Sequence, residues 1–254
     1  MRFLAAFLMA LAFAGAAAAA PVDTGHLMAE LVPQATGVAP GQTVHVALRQ
    51  KIDKGWHTYW RNPGDSGEPT QITWTLPAGW TASDIAWPLP HRQPIGPLMN
   101  YGYSDEVLLP VAITAPASAR AGETATLKAE AIFLVCADIC VPERAELQIA
   151  LPVTAQPVPT DATWGPAIDS ALASVPKPAP LTAAFEKRGA GVQLAVAGAP
   201  LKGADLAQAY FYPFVSTVID HAKPQAIERG PEGVTLTLVP GYDFQSGPGP
   251  AERS

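Results

Sequence analysis

Cys136 and Cys140 are the only cysteines in the 254-residue chain. They stand in Phe133-Leu134-Val135-Cys136-Ala137-Asp138-Ile139-Cys140-Val141-Pro142. Placed across a hairpin whose loop is Ala137-Asp138-Ile139, they face each other at its tip. The same register sets Ala131 against Ala145, Ala129 against Leu147 and Leu127 against Ile149, an apolar face that belongs to a core. Lys128 with Gln148, Ile132 with Arg144, Leu134 with Pro142, and the cysteine pair fall on the outer face. Glu130 then opposes Glu146, the one unfavourable pair. Opposed residues have Cβ atoms about 4.5–5.5 Å apart, close to the 3.5–4.5 Å or so that a disulfide needs.

Such a pair suits thiol–disulfide exchange, which needs a thiolate, a leaving thiol and access for the partner sulfur. Other readings stand beside it. A stapling disulfide closing so short a ring contributes only about 2 kcal/mol. Two buried thiols would conflict with the outer face. A metal site would need more ligands, since tetrahedral zinc takes four, and none of His26, His45, His57, His91 and His221 lies beside the pair in sequence.

The elements that must hold the pair are strands. Thr43–Arg49 alternates, with Val44, Val46 and Leu48 on one face, and Gln71–Leu76 does the same. Glu106–Ile113, Thr124–Val135 and Ala145–Leu151 complete the set. Short alternating runs separated by turn residues predict an all-β, immunoglobulin-like sandwich over residues 22–155. Residues 86–104, carrying Pro88, Pro90, Pro94, Gly96 and Pro97, read as a long loop, and 95–103 as a mobile cover for the cysteines. A Pro-rich linker follows over 156–180, with a short helix from Pro166 to Ser174. Strand signals at Leu181–Glu186, Gly191–Ala197, Ala209–Phe214 and Gly233–Val239 predict a second, smaller β-domain over 181–254. It is either open or shortened. Trp56–Trp60 reads as sandwich core, Gly64-Asp65-Ser66-Gly67 as a turn, and Tyr210–Phe214 as the core of the second domain.

Composition sets the outer bounds. Gly 21 and Pro 27 argue against long helices. A net charge of −6 argues against nucleic acid as a partner. Arg2 followed by an apolar run to Ala20, ending in small residues, predicts a cleaved signal peptide over residues 1–20 and export. A retained anchor is the alternative.

At these residues the chain resembles the N-terminal periplasmic domain of DsbD-type thiol:disulfide interchange proteins, nearest the ScsB branch associated with suppression of copper sensitivity. The resemblance rests on Phe133–Pro142, Met99–Val111, Gly55-Trp56-His57-Thr58-Tyr59-Trp60, Trp60–Gly67 and Cys136–Glu143. It spans roughly residues 25–155 and extends into Tyr210–Ile219 and His221–Gln225. It implies a protein-disulfide reductase module with no cofactor or metal beyond its cysteines. Electrons come from a membrane-embedded reductase domain and pass to thioredoxin-fold periplasmic proteins. Cys140 would form the mixed disulfide and Cys136 would resolve it. Leu98, Met99, Asn100 and Tyr101 correspond to the cap over the pair, and His57 and Tyr59 to tyrosines beside it. Three departures stand out. Only three residues separate the cysteines, the acidic residue and Phe of the best-known cap are replaced, and the membrane and thioredoxin-like parts are not in this sequence. The alternative is a copper-handling binding module whose cysteines hold Cu(I) or stay stapled; beyond the leader only Met28 and Met99 could add thioether ligands.

Overall fold

The computed structural model describes residues 20–156 and 158–245. The leader expected over 1–20 lies outside them apart from Ala20, as does the tail from 246 onward.

The described residues are all-β with two short α-helices, as the alternation predicts. The first part supplies β1 (Val22–Asp23), β2 (Leu27–Pro33), β3 (Thr43–Ile52), β4 (Thr58–Gly64) and β5 (Gln71–Thr75). It continues with β6 (Thr81–Ile85), β7 (His91–Ile95), β8 (Leu98–Tyr103), β9 (Glu106–Thr114), β10 (Thr124–Cys136) and β11 (Cys140–Pro152). Three antiparallel sheets result, in the orders β1-β2-β3-β9-β6, β11-β10-β5 and β4-β8-β7. The inward faces of the first two meet in one core. Leu27, Leu31, Val46, Leu48, Leu109 and Ile113 come from one side, and Leu127, Phe133, Ile149 and Leu151 from the other. Each such side chain contributes about 1.5–3 kcal/mol through burial. A one-residue slip would move the whole set to solvent, so the register is firmly specified.

Two sequence expectations change here. Residues 86–90 are irregular as expected, but from 91 the stretch is not a loop: β7 and β8 form a hairpin turning at Gly96-Pro97, and β8 also pairs with β4. Proline does not exclude a strand here because Pro94 lies on β7, the edge strand, where a missing donor costs nothing. The proline-rich stretch after β11, for its part, does more than span a gap. Helix α1 (Gly165–Ala173) begins with a proline in its first turn. It buries Ile168 against Val32, Ala47 and Leu108, the outer faces of β2, β3 and β9. Gln34 donates to Asp169 at 2.6 Å, and the Arg49 guanidinium lies 4.8 Å from the Trp164 ring centroid.

The second part adds β12 (Thr182–Arg188), β13 (Gly191–Ala197), β14 (Ala226–Arg229) and β15 (Gly233–Leu238), in the order β12-β13-β15-β14, followed by α2 (Tyr242–Gln245). Its own core gathers Val192, Leu194, Ile219, Leu236, Leu238 and Phe244. The strand expected over Ala209–Phe214 does not form. The Gln225 side-chain amide takes a neighbouring strand's place there, accepting from the Phe211 N–H at 2.8 Å and donating to its carbonyl at 3.0 Å. The aromatics still alternate. Tyr210 and Tyr212 pack on the first core and Phe211 on the second, so this run is the seam between the two and not the interior of one.

Candidate functional site

The site begins with the hairpin register. β10 and β11 pair without a shift from Thr124–Pro152 through Ala131–Ala145 to Cys136–Cys140. Glu130 does oppose Glu146, and Arg144 relieves it by an ion pair with Glu130. The inward residues Leu127, Ala129, Ala131, Phe133 and Val135 are buried, while Ile132 on the other face is exposed.

The segment leading into β4 then decides the geometry at the tip. Cys136 donates its N–H to the His57 carbonyl at 3.0 Å and accepts from the His57 N–H at 2.9 Å. In an antiparallel strand both backbone groups of a residue point the same way. With both given to His57, none remains for Cys140, so the cysteines form the narrow kind of pair, whose Cα atoms lie about 4.5 Å apart. The observed separation is 4.1 Å, and the two sulfurs are joined in a disulfide.

Strand parity alone puts both cysteines on the outer face, but the structure separates them. Cys136 is 0% exposed, whereas Cys140 is open to solvent. His57, in the lead-in to β4, pairs with Cys136 on the strand edge away from Cys140. The Tyr59 hydroxyl lies 3.6 Å from Cys140 Sγ, and the His57 and Tyr59 rings meet edge to face at 5.0 Å. The backbone of Gly67 presses on the Tyr59 ring so closely that a Cβ there would overlap it, and φ at Gly67 is +99°. The turn over residues 64–67 therefore holds a ring that helps to cover a sulfur.

Burial sets the electrostatics. It lowers the His57 pKa, against the opposing pull of the Cys136 carbonyl. It raises that of Tyr59, with Asn100 pulling the other way. Both rings are thus neutral near pH 7. Nε2 of His57 and Nδ2 of Asn100 are buried with no hydrogen-bond partner among the described residues.

The four residues matched to a cap lie on a strand, and they part company. Leu98 is exposed and Met99 packs against the core rim. Asp65 accepts from the Met99 N–H at 2.7 Å, and Asn100 Oδ1 accepts from both the N–H and the hydroxyl of Ser66 at 3.1 Å. The turn over residues 64–67 thus clasps β8 through three hydrogen bonds. Tyr101 is wholly buried and faces away, toward Tyr210 and His221. His57, Tyr59, Cys136 and Cys140 come together, Asn100 adjoins Tyr59, and Tyr101 belongs to the seam.

Sequence reasoning passed over Gly67 and a clamp on β11. Glu143 shares the inward parity of Ala145 and Leu147 and is 7% exposed. A carboxylate at such a position needs partners, and that was the available signal. Thr24 donates to it, and His26 Nδ1 lies 2.5 Å from its Oε1. The His26 ring stacks on Trp56 at 3.8 Å, tying the start of β2 and the lead-in to β4 to the hairpin near the disulfide. A cleft of about 450 Å³ opens elsewhere, between β5 and β6, lined by Arg61, Trp74, Asp84 and Trp87. Exchange with another protein needs an open rim, which the cysteine tip supplies.

A family model described as "Thiol:disulfide interchange protein DsbD, N-terminal" matches residues 28–152. Among solved structures, the N-terminal periplasmic domain of ScsB from Proteus mirabilis is similar, with a TM-score of 0.55 and 17% sequence identity. The match covers 87% of this chain and 83% of that one, and at such identity it speaks to the fold. Comparison with the curated proteins finds no match.

Proposed function

Residues 28–152 belong to the N-terminal domain family of the thiol:disulfide interchange protein DsbD, and on that premise we propose that this chain passes electrons through Cys136 and Cys140 in the periplasm. It takes them from a membrane-embedded reductase partner and delivers them to thioredoxin-fold proteins, with no cofactor beyond the pair. The observation that supports this reading is the asymmetry of the disulfide, with Cys140 exposed and Cys136 wholly buried. In the reduced state Cys140 thiolate attacks the partner's disulfide and forms a mixed disulfide, releasing one partner thiolate. Cys136 Sγ then gives up its proton and attacks Cys140 Sγ, closing the intramolecular bond and expelling the second partner thiolate. Two electrons leave the pair and reduce the partner. Because Cys136 cannot be reached from outside, partners are confined to Cys140 and the order of events is set.

Trapping tests this. Cys136→Ser leaves Cys140 free to capture but unable to release, so thioredoxin-fold proteins should accumulate as mixed disulfides on it, and Cys140→Ser should capture none. If no thioredoxin-fold protein is captured, the relay is refuted. Titration of the reduced chain with Cu(I) separates the copper-handling alternative: tight stoichiometric binding, lost on Cys→Ser substitution and unaccompanied by exchange, would replace the relay.

A further inference from the structure

We propose that His57 is the base that takes the proton from Cys136 when that thiol closes on Cys140. The inference rests on the exchange reading above and assigns one step of it.

Placement carries the argument. His57 and Cys136 exchange both backbone hydrogen bonds, so they are directly opposed and their side chains leave the sheet on the same face. His57 is 5% exposed, and its Nε2 is one of the few buried side-chain polar atoms without a partner among the described residues. An unpaired buried nitrogen is unfavourable unless another state of the molecule supplies its partner. The other redox state does so, because reduction turns Cys136 Sγ from a disulfide sulfur into a thiol with a proton to donate.

The same burial creates the need. Cys136 is sealed from water, and a thiolate formed there without compensation would be an isolated buried charge. The proton must pass to a neighbour. Around His57 the titratable groups are Tyr59 on the same strand, the two cysteines, and the His26–Glu143 pair beyond Trp56. Tyr59 stays protonated through burial and its hydroxyl sits at Cys140. Glu143 is engaged by Thr24 and His26. The imidazole, held neutral by burial, is the free acceptor.

The step balances. His57 Nε2 accepts the Cys136 proton as Cys136 Sγ attacks Cys140 Sγ. The Cys136–Cys140 bond forms, the bond from Cys140 to the partner sulfur breaks, and the expelled thiolate takes the proton back from the imidazolium. Cys136 is oxidised and the partner sulfur is reduced.

Stopped-flow mixing of the reduced full chain with dithiobis-nitrobenzoate tests this. One coloured thiolate is released as Cys140 attacks the reagent, and another as Cys136 displaces the remaining half from Cys140. That leaving group needs no proton, so the second phase isolates the base. His57→Gln should leave the first phase unchanged and slow the second roughly a hundredfold. It should also abolish the inflection of the second phase with pH, and added imidazole should restore rate to His57→Ala. Should His57→Gln fail to fold, His57→Tyr keeps an aromatic ring there and must show the same loss. A second phase of unchanged rate, or one slowed with its pH profile intact, overturns the base and leaves exchange standing. Absence of the first phase in the unsubstituted chain overturns exchange itself.

Discussion

The Tyr101 hydroxyl, in the middle of β8, lies 2.9 Å from Nδ1 of His221, 120 residues further along the chain. Nε2 of that histidine faces the Ser216 carbonyl at 2.8 Å, so Nε2 carries the proton and Nδ1 accepts from the tyrosine. The Tyr210 hydroxyl completes the chain 3.0 Å from that of Tyr101. Asn62 of β4 donates to the Pro213 carbonyl at 2.7 Å, and the Arg61 guanidinium lies 4.1 Å from the Phe214 ring centroid. The strands that serve the disulfide on one side thus grip the C-terminal part on the other.

Tyr101→Phe keeps the packing and removes the hydroxyl, leaving the His221 nitrogen buried without its donor. Such a loss costs about 1–3 kcal/mol. Urea unfolding should show a lower midpoint.

Gly67→Ala should act on the disulfide from a distance. The new Cβ would collide with the Tyr59 ring at a backbone angle that side chains rarely adopt, a strain of about 1–3 kcal/mol from the backbone alone. With Tyr59 displaced, Cys140 Sγ loses the hydroxyl beside it. Alkylation of the reduced variant, followed by mass spectrometry, should show Cys140 modified faster than in the parent chain.

Breaking the disulfide should cost little stability. The ring it closes contributes about 2 kcal/mol in the loop-entropy picture, no more than a single buried side chain of the same hairpin. The double variant Cys136→Ala/Cys140→Ala should stay folded by circular dichroism. Phe133→Ala, which empties a wholly buried site, should cost about 3–5 kcal/mol. A greater loss from the cysteine pair than from Phe133 would make the bond a staple.

Acid should weaken the fold through two histidines. Burial lowers His57, and it also lowers His45, where Asp169 opposes the shift. Below their ordinary value of 6.5 the unfolded chain binds protons that the native chain refuses. Stability is therefore full above that value and falls as pH drops, until the native rings protonate in turn. Thermal melts between about pH 8 and pH 5 should follow this slope, and His45→Gln should flatten it.

Local pattern makes much of the molecule legible in its sequence. A period of two along Thr124–Val135 and Ala145–Leu151 is a statement about which side chains face inward. Once the turn is placed, every pair in the hairpin follows, down to Cys136 against Cys140. The all-β class and the family resemblance come from the same short-range signals. Alternation records only which face of its own strand a residue occupies; it says nothing of what arrives to cover that face. The segment that pairs with Cys136, through His57, lies some eighty residues upstream. Tyr101 left the cap because Tyr210 and His221 offered its hydroxyl partners, and Phe211 kept a strand's rhythm with a glutamine amide as its neighbour. Those outcomes depend on long-range packing, and only the folded chain decides them.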